Sequence, residues 1–197
     1  MTSPYFNRKI YNARLLIEDI SYFLSHGKEI IQLRKNDKMT KSFIEKIMLV
    51  VTAVNGCPYC SWFHVRQSIA QGISISEVQK MLKLQFHADA NNSEVPALLF
   101  AQHYAETDRH PDEEQWEELI SYYGEQMANH ILLVIRMIYF GNLSGNTFDA
   151  FLSRFKGKKS RKSNLIFEFL FFLFSAPILV PISPMVKKYG KKSDSNT

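Results

Sequence analysis

The sequence lacks several features that are typical of other classes of protein. It contains only two cysteines among 197 residues, too few for the disulfide framework of a small secreted protein. No short apolar segment follows the polar stretch 1–9, so we expect no secretory signal and a cytoplasmic location. Strand-like alternation of apolar and polar residues is almost missing, and no internal repeat is visible, which leaves an all-α fold as the prediction.

An excess of positive charge is also absent from most of the chain. The net charge is +5, yet residues 1–153 carry 14 Lys and Arg against 17 Asp and Glu, whereas residues 154–197 carry 10 against 2. The positive charge therefore belongs to the tail, where it alternates with a long apolar run. We expect no nucleic-acid partner, because this composition suits a membrane surface better than a phosphate backbone.

What the chain does contain is one helical pattern after another. The spacing of apolar residues predicts helices over 8–25, 40–55, 57–72, from 74 onward, and over 94–107, 111–123, 125–140 and 146–155. Gly56 is predicted to end the second helix, and Ser74 and Glu77 form a capping box that opens the fourth. Gly141 and Gly145 are predicted to separate the last two. We therefore predict one all-α domain over residues 1–155, followed by a basic and apolar extension over 156–197.

The two cysteines stand in a short motif with two other reactive side chains. The motif is Glu45-x11-Cys57-Pro58-Tyr59-Cys60-x3-His64. Two thiols separated by two residues can close a disulfide, and Cys60 and His64 are one helical turn apart. With Cys57 as the N-cap of a helix, both sulfurs would lie near the positive end of its dipole, which favours thiolate over thiol. The motif therefore indicates thiol redox chemistry with an acid–base partner.

Other interpretations of these four residues stay open. They could supply zinc ligands, although structural zinc sites use two separated ligand pairs and the second pair is missing here. The spacing is not that of a covalent haem motif. Whether Glu45 reaches His64 depends on the turn at Gly56, which the periodicity alone does not determine.

The motif, within the stretch from Val54 to His64, resembles the core of alkylhydroperoxidase D-like proteins in the carboxymuconolactone decarboxylase superfamily. The resemblance covers roughly residues 40–145 and implies an all-helical fold that assembles as homo-oligomers, usually trimers or hexamers. Decarboxylase members generally lack the cysteine pair, so the dithiol favours the peroxidase side. The chain departs from the best-known branch at Pro58-Tyr59, because that branch carries a histidine between its cysteines.

The resemblance implies a thiol-dependent peroxidase or disulfide reductase. Cys60 would attack the peroxide, and Cys57 would convert the resulting sulfenic acid into a Cys57–Cys60 disulfide. His64 would deprotonate Cys60, and Glu45 would relay the proton. An external dithiol of the lipoyl type would reduce the disulfide, so no bound cofactor or metal is expected. From the residues alone Cys57 remains a rival nucleophile, because the N-cap cysteine is often the more reactive one in CxxC proteins.

Two further functions remain open. A lactone-cleaving or C–C-cleaving enzyme of the same fold would use His64 and Glu45 for acid–base work and would not need the cysteines. A non-catalytic redox or zinc-binding module, anchored by its tail, is the other alternative.

The tail carries the second signal of the sequence. Residues 165–182 are apolar with Glu168 as the only charge, and basic residues flank this run on both sides: Arg154, Lys156, Lys158, Lys159, Arg161 and Lys162 before it, Lys187, Lys188, Lys191 and Lys192 after it. Pro177 and Pro181 are expected to break its second half. Basic residues at both ends favour neither transmembrane orientation. We predict contact with a membrane surface through residues 156–192, with packing between subunits and a short spanning helix as alternatives.

Overall fold

The computed structural model describes residues 5–33, 35–86 and 93–194, with side chains described as far as residue 190. In these ranges the chain forms helices and no strand, which confirms the all-α prediction. The helices are α1 (Ala13–Ser25), α2 (Gly27–Leu33), α3 (Lys41–Asn55), α4 (Pro58–Ala70), α5 (Ile75–Leu82), α6 (Val95–Glu106), α7 (Glu113–Tyr123), α8 (Glu125–Arg154) and α9 (Leu165–Asp194).

Local signals in the sequence place several helix ends correctly. Gly56 follows α3 with φ +67°, a left-handed conformation that glycine adopts without the cost of a Cβ. Ser74 caps α5, because its Oγ accepts a hydrogen bond from the N–H of Glu77 at 3.2 Å. The first predicted helix, over 8–25, begins only at Ala13, and a separate helix follows it from Gly27.

The predicted break at Gly141 and Gly145 is wrong. The helix α8 continues through both glycines from Glu125 to Arg154. A glycine inside a helix costs about 1 kcal/mol relative to alanine, which packing of the helix easily outweighs. Both glycines face cysteine side chains, and at Gly145 the sulfur approaches too closely for a Cβ to fit.

The predicted break at Pro177 and Pro181 is wrong as well. The helix α9 runs through both residues and through Pro184. Each proline removes one backbone N–H from the hydrogen-bonding ladder, which leaves one carbonyl without its helical partner. Spacings of four and three residues place the three prolines on one side of the helix, and all three are exposed. The carbonyls that lose a partner therefore lie on the open side of α9, where other donors can reach them.

The described residues divide into two units by their packing. The first unit takes Met1–Leu24, Gly56–Trp62 and Phe140–Thr197, and the second takes Ser25–Asn55 and Phe63–Tyr139. The helices α4 and α8 each contribute residues to both. The predicted boundary between residues 155 and 156 stays a prediction.

In the second unit, α3 packs against α5 and α6, and α6 packs against α7. Lys46 on α3 pairs with Glu77 and with Glu94, each at 2.7 Å. Burial lowers the pKa of Lys46, but hydrogen bonds to the two carboxylates outweigh it, so that the pKa is raised. These ion pairs hold α3 against its neighbours. Because Lys46 directly follows Glu45 in the sequence, they act on the part of α3 that carries Glu45.

In the first unit, α9 packs on the second half of α8 and on the start of α4. Phe172 of α9 stacks on Phe148 of α8 with ring centroids 5.1 Å apart. Glu168 is fully buried and forms a two-pronged ion pair with Arg154, in which Nη2 lies 2.9 Å from Oε1. One side of α9 is thereby attached to the protein, and the other side remains exposed.

Candidate functional site

The dithiol lies at the start of α4, directly after the turn at Gly56. The Sγ atoms of Cys57 and Cys60 are 2.7 Å apart, and both thiols are free. A disulfide needs an S–S distance of about 2.04 Å. Only a small movement of the two side chains therefore separates the dithiol from its oxidised form.

Cys57 is the N-cap of α4, as the sequence predicts. Its carbonyl accepts a hydrogen bond from the N–H of Ser61 at 2.9 Å, and its Sγ accepts one from the N–H of Cys60 at 3.3 Å. The first N–H groups of a helix lack partners inside it, and here a sulfur satisfies one of them. The start of the helix thus fixes the position of the Cys57 sulfur.

Two glycines of α8 face the sulfurs. An ideal Cβ on Gly145 would lie 2.7 Å from Sγ of Cys57, whereas one on Gly141 would lie 3.9 Å from Sγ of Cys60. The first distance is a clash, and the second is an ordinary van der Waals contact. Gly145 is therefore required for the observed position of Cys57, and Gly141 is not required for that of Cys60.

The two sulfurs differ in accessibility. Cys57 is only 1% exposed and belongs to an apolar cluster with Tyr59, Phe148 and Val186, whereas Cys60 is partly exposed. Tyr59, between the cysteines, packs its ring edge-on against Phe148 and places its hydroxyl 3.3 Å from Oγ of Ser183 on α9. Cys60 is thus the more exposed residue of the two, and Cys57 is held inside the first unit.

The pKa of Cys60 is raised well above its ordinary value. The hydrogen bond with Cys57 is the largest cause, followed by burial and by negative charge on Cys57, while a hydrogen bond with Asn142 acts in the opposite direction. The expectation that the helix start favours a Cys60 thiolate is therefore wrong for the reduced pair. Two sulfurs this close resist carrying two negative charges, so the pair retains one proton.

His64 and Glu45 form a close pair within the second unit. Nδ1 of His64 lies 2.8 Å from Oε2 of Glu45, and the two side chains are only 12% and 14% exposed. The turn at Gly56 thus brings Glu45 alongside His64, a point that periodicity left open. A carboxylate that accepts a hydrogen bond from Nδ1 leaves Nε2 as the nitrogen that can take up a proton.

The helix α4 carries both the dithiol and the imidazole. Cys60 and His64 are four residues apart on it, which in an α-helix corresponds to one turn along the same face. Phe63, the residue before His64, is exposed and lies edge-on to the His64 ring at 5.1 Å between centroids. Trp62 instead packs against the apolar cluster around Cys57.

The profile of the carboxymuconolactone decarboxylase family matches residues 21–103. This segment contains α3 and α4 with all four residues of the motif. Residues 21–103 are therefore similar to the carboxymuconolactone decarboxylase family. No curated protein and no solved structure matches the chain significantly. The described residues therefore combine an all-α fold, a segment similar to the carboxymuconolactone decarboxylase family and a free cysteine pair at the start of α4.

One residue near the dithiol could not be found from sequence patterns. Arg8 donates hydrogen bonds to the carbonyl of Gly56 at 3.2 Å and to Oδ1 of Asn146 at 3.0 Å, and it pairs with Asp149. It lies outside the segment matched by the carboxymuconolactone decarboxylase family, yet it holds the turn that precedes Cys57. Its partners are 48 to 141 positions away along the chain, so no local pattern indicates them.

Possible metal ligands can be compared by their positions in the structure. Among the side chains that the structure describes, no group of three or more His, Cys, Asp and Glu is placed to hold one metal ion. The four residues Glu45, Cys57, Cys60 and His64 form two pairs, a sulfur–sulfur pair and an imidazole–carboxylate pair.

Proposed function

We propose that this protein is a thiol-dependent peroxidase or disulfide reductase that works through Cys57 and Cys60. The observation that carries the proposal is the distance of 2.7 Å between two free sulfurs at the start of α4. A dithiol this close is converted to a disulfide with little rearrangement, which is what a two-electron thiol cycle requires.

Cys60 is the proposed nucleophile. It is the more exposed of the two cysteine residues, and it is one turn before His64 on the same helix. Its thiolate attacks one oxygen of a hydroperoxide, the O–O bond breaks, and the products are Cys60 sulfenic acid and an alkoxide that takes up a proton to form the alcohol. Sulfur is oxidised by two electrons, and the peroxide is reduced by two.

His64 and Glu45 are the proposed proton relay. Because the pKa of Cys60 is raised, the thiol is protonated near neutral pH and must lose its proton for the attack. The free Nε2 of His64 takes that proton and later returns one to the leaving alkoxide, while Glu45 stabilises the charged imidazole through Nδ1. A general base is most valuable where the nucleophile does not ionise by itself.

Cys57 completes the cycle as the resolving thiol. It attacks the sulfenic sulfur of Cys60, a water molecule leaves, and the Cys57–Cys60 disulfide forms. Two electrons from an external dithiol then restore the pair through a mixed disulfide, and the family resemblance favours a dithiol of the lipoyl type. No bound cofactor is needed for any of these steps.

The His64–Glu45 pair also supports a second candidate function. A carboxylate and an imidazole 2.8 Å apart can perform acid–base catalysis on a lactone or a C–C bond without any cysteine. Replacement of both cysteines by serine separates the two candidates, because only the peroxidase loses its turnover.

The C-terminal helix α9 is the feature that indicates where in the cell the protein is located. Among the described residues, one helix, over Leu165–Gly190, is long and apolar enough to cross a membrane by length and composition. We propose a cytoplasmic protein that contacts a membrane surface through residues 156–192, of which the side chains of Lys191 and Lys192 lie outside the described part. Assembly as a homo-oligomer, a trimer or hexamer, is likewise proposed from the family resemblance.

Intact-mass analysis of the alkylated protein tests the proposed function. Before treatment, two thiols should react with the alkylating agent. After one equivalent of hydrogen peroxide, both should be lost and the protein should be lighter by two hydrogens, and dihydrolipoamide should restore both. Two thiols that remain after peroxide treatment would rule out the thiol cycle and favour the acid–base function of His64 and Glu45.

A further inference from the structure

The helix α9 has two contrasting faces along its length. Its inner face packs against the cluster around Cys57 and Tyr59 through Phe172, Ala176, Leu179 and Ile182. Its outer face exposes large apolar side chains instead: Ile166, Leu170, Leu173, Phe174, Ile178 and Met185. Phe174 is 83% exposed. Such a continuous apolar face on one helix requires something to cover it.

The distribution of charge around α9 indicates what covers its outer face. Residues 156–192 carry nine Lys and Arg, and Glu168 is their only acid. That acid is buried and paired with Arg154, so it does not offset the cations on the surface. An apolar face between two basic ends matches a bilayer with anionic headgroups, where cations meet phosphate and apolar side chains enter the acyl region.

The attachment of the inner face determines how α9 meets the bilayer. A helix that spans a membrane is surrounded by lipid or by other spanning segments, whereas the inner face of α9 is held by Phe148 and by the Arg154–Glu168 pair. The helix has 30 residues and is about 45 Å long, so that both basic ends reach the headgroups when it lies flat. The exposed prolines 177, 181 and 184 are on the outer face, at the depth where headgroups and water still supply hydrogen bonds.

We propose that the outer face of α9 docks on an anionic membrane surface, and that the substrate of the dithiol is a lipid hydroperoxide held in that bilayer, with its –OOH group on an acyl chain. The second part rests on the proposed function. The same helix faces lipid on one side and packs around Cys57, Tyr59 and Cys60 on the other, so a docked protein holds its dithiol next to the bilayer. The reaction converts the lipid hydroperoxide and the dithiol into the lipid alcohol, water and the Cys57–Cys60 disulfide.

Vesicle sedimentation tests the docking. The full chain should bind vesicles of phosphatidylcholine mixed with phosphatidylglycerol, bind vesicles of phosphatidylcholine alone at least about tenfold less, and be released by salt. The double variant Phe174→Asp/Ile178→Asp should lose binding by at least about tenfold. Leu24→Asp on α1, which changes a side chain that is 80% exposed, is the matched control and should bind normally.

Two results would overturn the docking. One is absence of binding to either vesicle by the unaltered protein. The other is a double variant that binds vesicles normally but sediments as a smaller oligomer, because α9 would then cover a second copy of the chain. Circular dichroism and thermal unfolding show whether the variants are folded.

Turnover tests the substrate class with two peroxides. With dihydrolipoamide as reductant, the double variant should reduce tert-butyl hydroperoxide in solution at the normal rate and phosphatidylcholine hydroperoxide in the mixed vesicles at least about tenfold more slowly. Equal loss with both peroxides would overturn the assignment of a bilayer substrate. If the unaltered protein reduces neither peroxide, the peroxidase function fails and the substrate class with it, while the docking is decided by sedimentation alone.

Discussion

Gly145 on α8 lies so close to Cys57 that a Cβ at this position would be 2.7 Å from the cysteine sulfur. Gly145→Ala should therefore displace Cys57 from the position in which its sulfur faces Cys60. We expect a loss of about 1–3 kcal/mol in unfolding free energy from overpacking, only partly offset by about 1 kcal/mol of helix propensity. Disulfide formation after peroxide should slow as well, measured by intact mass in quenched samples.

Gly141→Ala is the matched control for this substitution. It lies in the same helix, and its new Cβ would be 3.9 Å from Sγ of Cys60, an ordinary contact. We expect unchanged or slightly increased stability in urea unfolding and normal disulfide formation. Equal behaviour of the two alanine variants would contradict the packing role of Gly145.

Serine substitutions of the two cysteines should affect the reaction with peroxide differently. Cys60→Ser should abolish the reaction with peroxide, because it removes the nucleophile. Cys57→Ser should still react once and then accumulate Cys60 sulfenic acid, which dimedone traps as an adduct visible by mass. A Cys60→Ser protein that consumes peroxide normally would assign the nucleophile to Cys57 instead.

The reactivity of Cys60 should shift to lower pH when Cys57 is replaced. Its pKa is raised mainly by the hydrogen bond with Cys57, with burial second and the charge of Cys57 third. Cys57→Ser removes the ionisable neighbour, so the thiolate of Cys60 should form at lower pH and its alkylation midpoint should fall. Iodoacetamide rates across pH, read by peptide mass, provide the test, with Gly141→Ala as the control that keeps both thiols. A midpoint that stays or rises would contradict the coupling.

His64 should matter most where Cys60 is protonated. His64→Gln should slow the reaction with peroxide by about 10²–10⁴-fold near neutral pH, a usual range for the loss of a general base. Above the pKa of Cys60 the thiolate forms without help, so the defect should shrink as pH rises. Glu45→Gln should cause a smaller defect, because Nε2 of His64 is retained. Stopped-flow rates between neutral and alkaline pH measure both variants, and a defect of His64→Gln that is constant with pH would exclude the role as base.

The ion pair of Glu168 and Arg154 should be important for stability. Arg154→Met leaves the fully buried carboxylate of Glu168 without its partner, which costs about 3–5 kcal/mol in unfolding free energy. The double variant Arg154→Met/Glu168→Leu should cost much less, because it removes both charges. Urea unfolding of the unaltered protein and of these two variants gives the three free energies of unfolding to compare.

An exposed pair supplies the comparison for that experiment. Arg14 and Glu18 on α1 are one turn apart at 2.8 Å, and the Arg14 side chain is 91% exposed. Arg14→Met should cost at most about 0.5 kcal/mol. A loss for Arg154→Met no larger than this would show that Glu168 is not held by the pair.

Sequence reasoning succeeds in this chain where the cause is local. The cap by Ser74, the left-handed Gly56 and the N-cap position of Cys57 depend on residues within a few positions, and the structure confirms each. The motif that joins Glu45 to His64 was found by its spacing, although the contact itself needed the fold.

The failures have non-local causes. From the sequence, Gly145 predicts a helix break. The contact that accounts for this glycine is with the sulfur of a residue 88 positions earlier, so no local pattern indicates it. Pro181 also predicts a helix break from the sequence. The sequence does not show that this proline lies on the exposed side of α9, where the helix tolerates it. The raised pKa of Cys60 depends on the short distance between two sulfurs, and helix-dipole reasoning alone gives the opposite direction.

The hydrogen bond between Tyr59 and Ser183 has a consequence for how this protein can change in evolution. Tyr59 packs in the apolar cluster around Cys57 and also contacts the C-terminal helix through Ser183, so a substitution at this one position affects both. We expect relatives that lack a helix like α9 to be free to place histidine or another residue there. Relatives that keep the helix should keep a hydroxyl-bearing aromatic at this position and a hydroxyl at the position of Ser183, so that the two sites are gained and lost together.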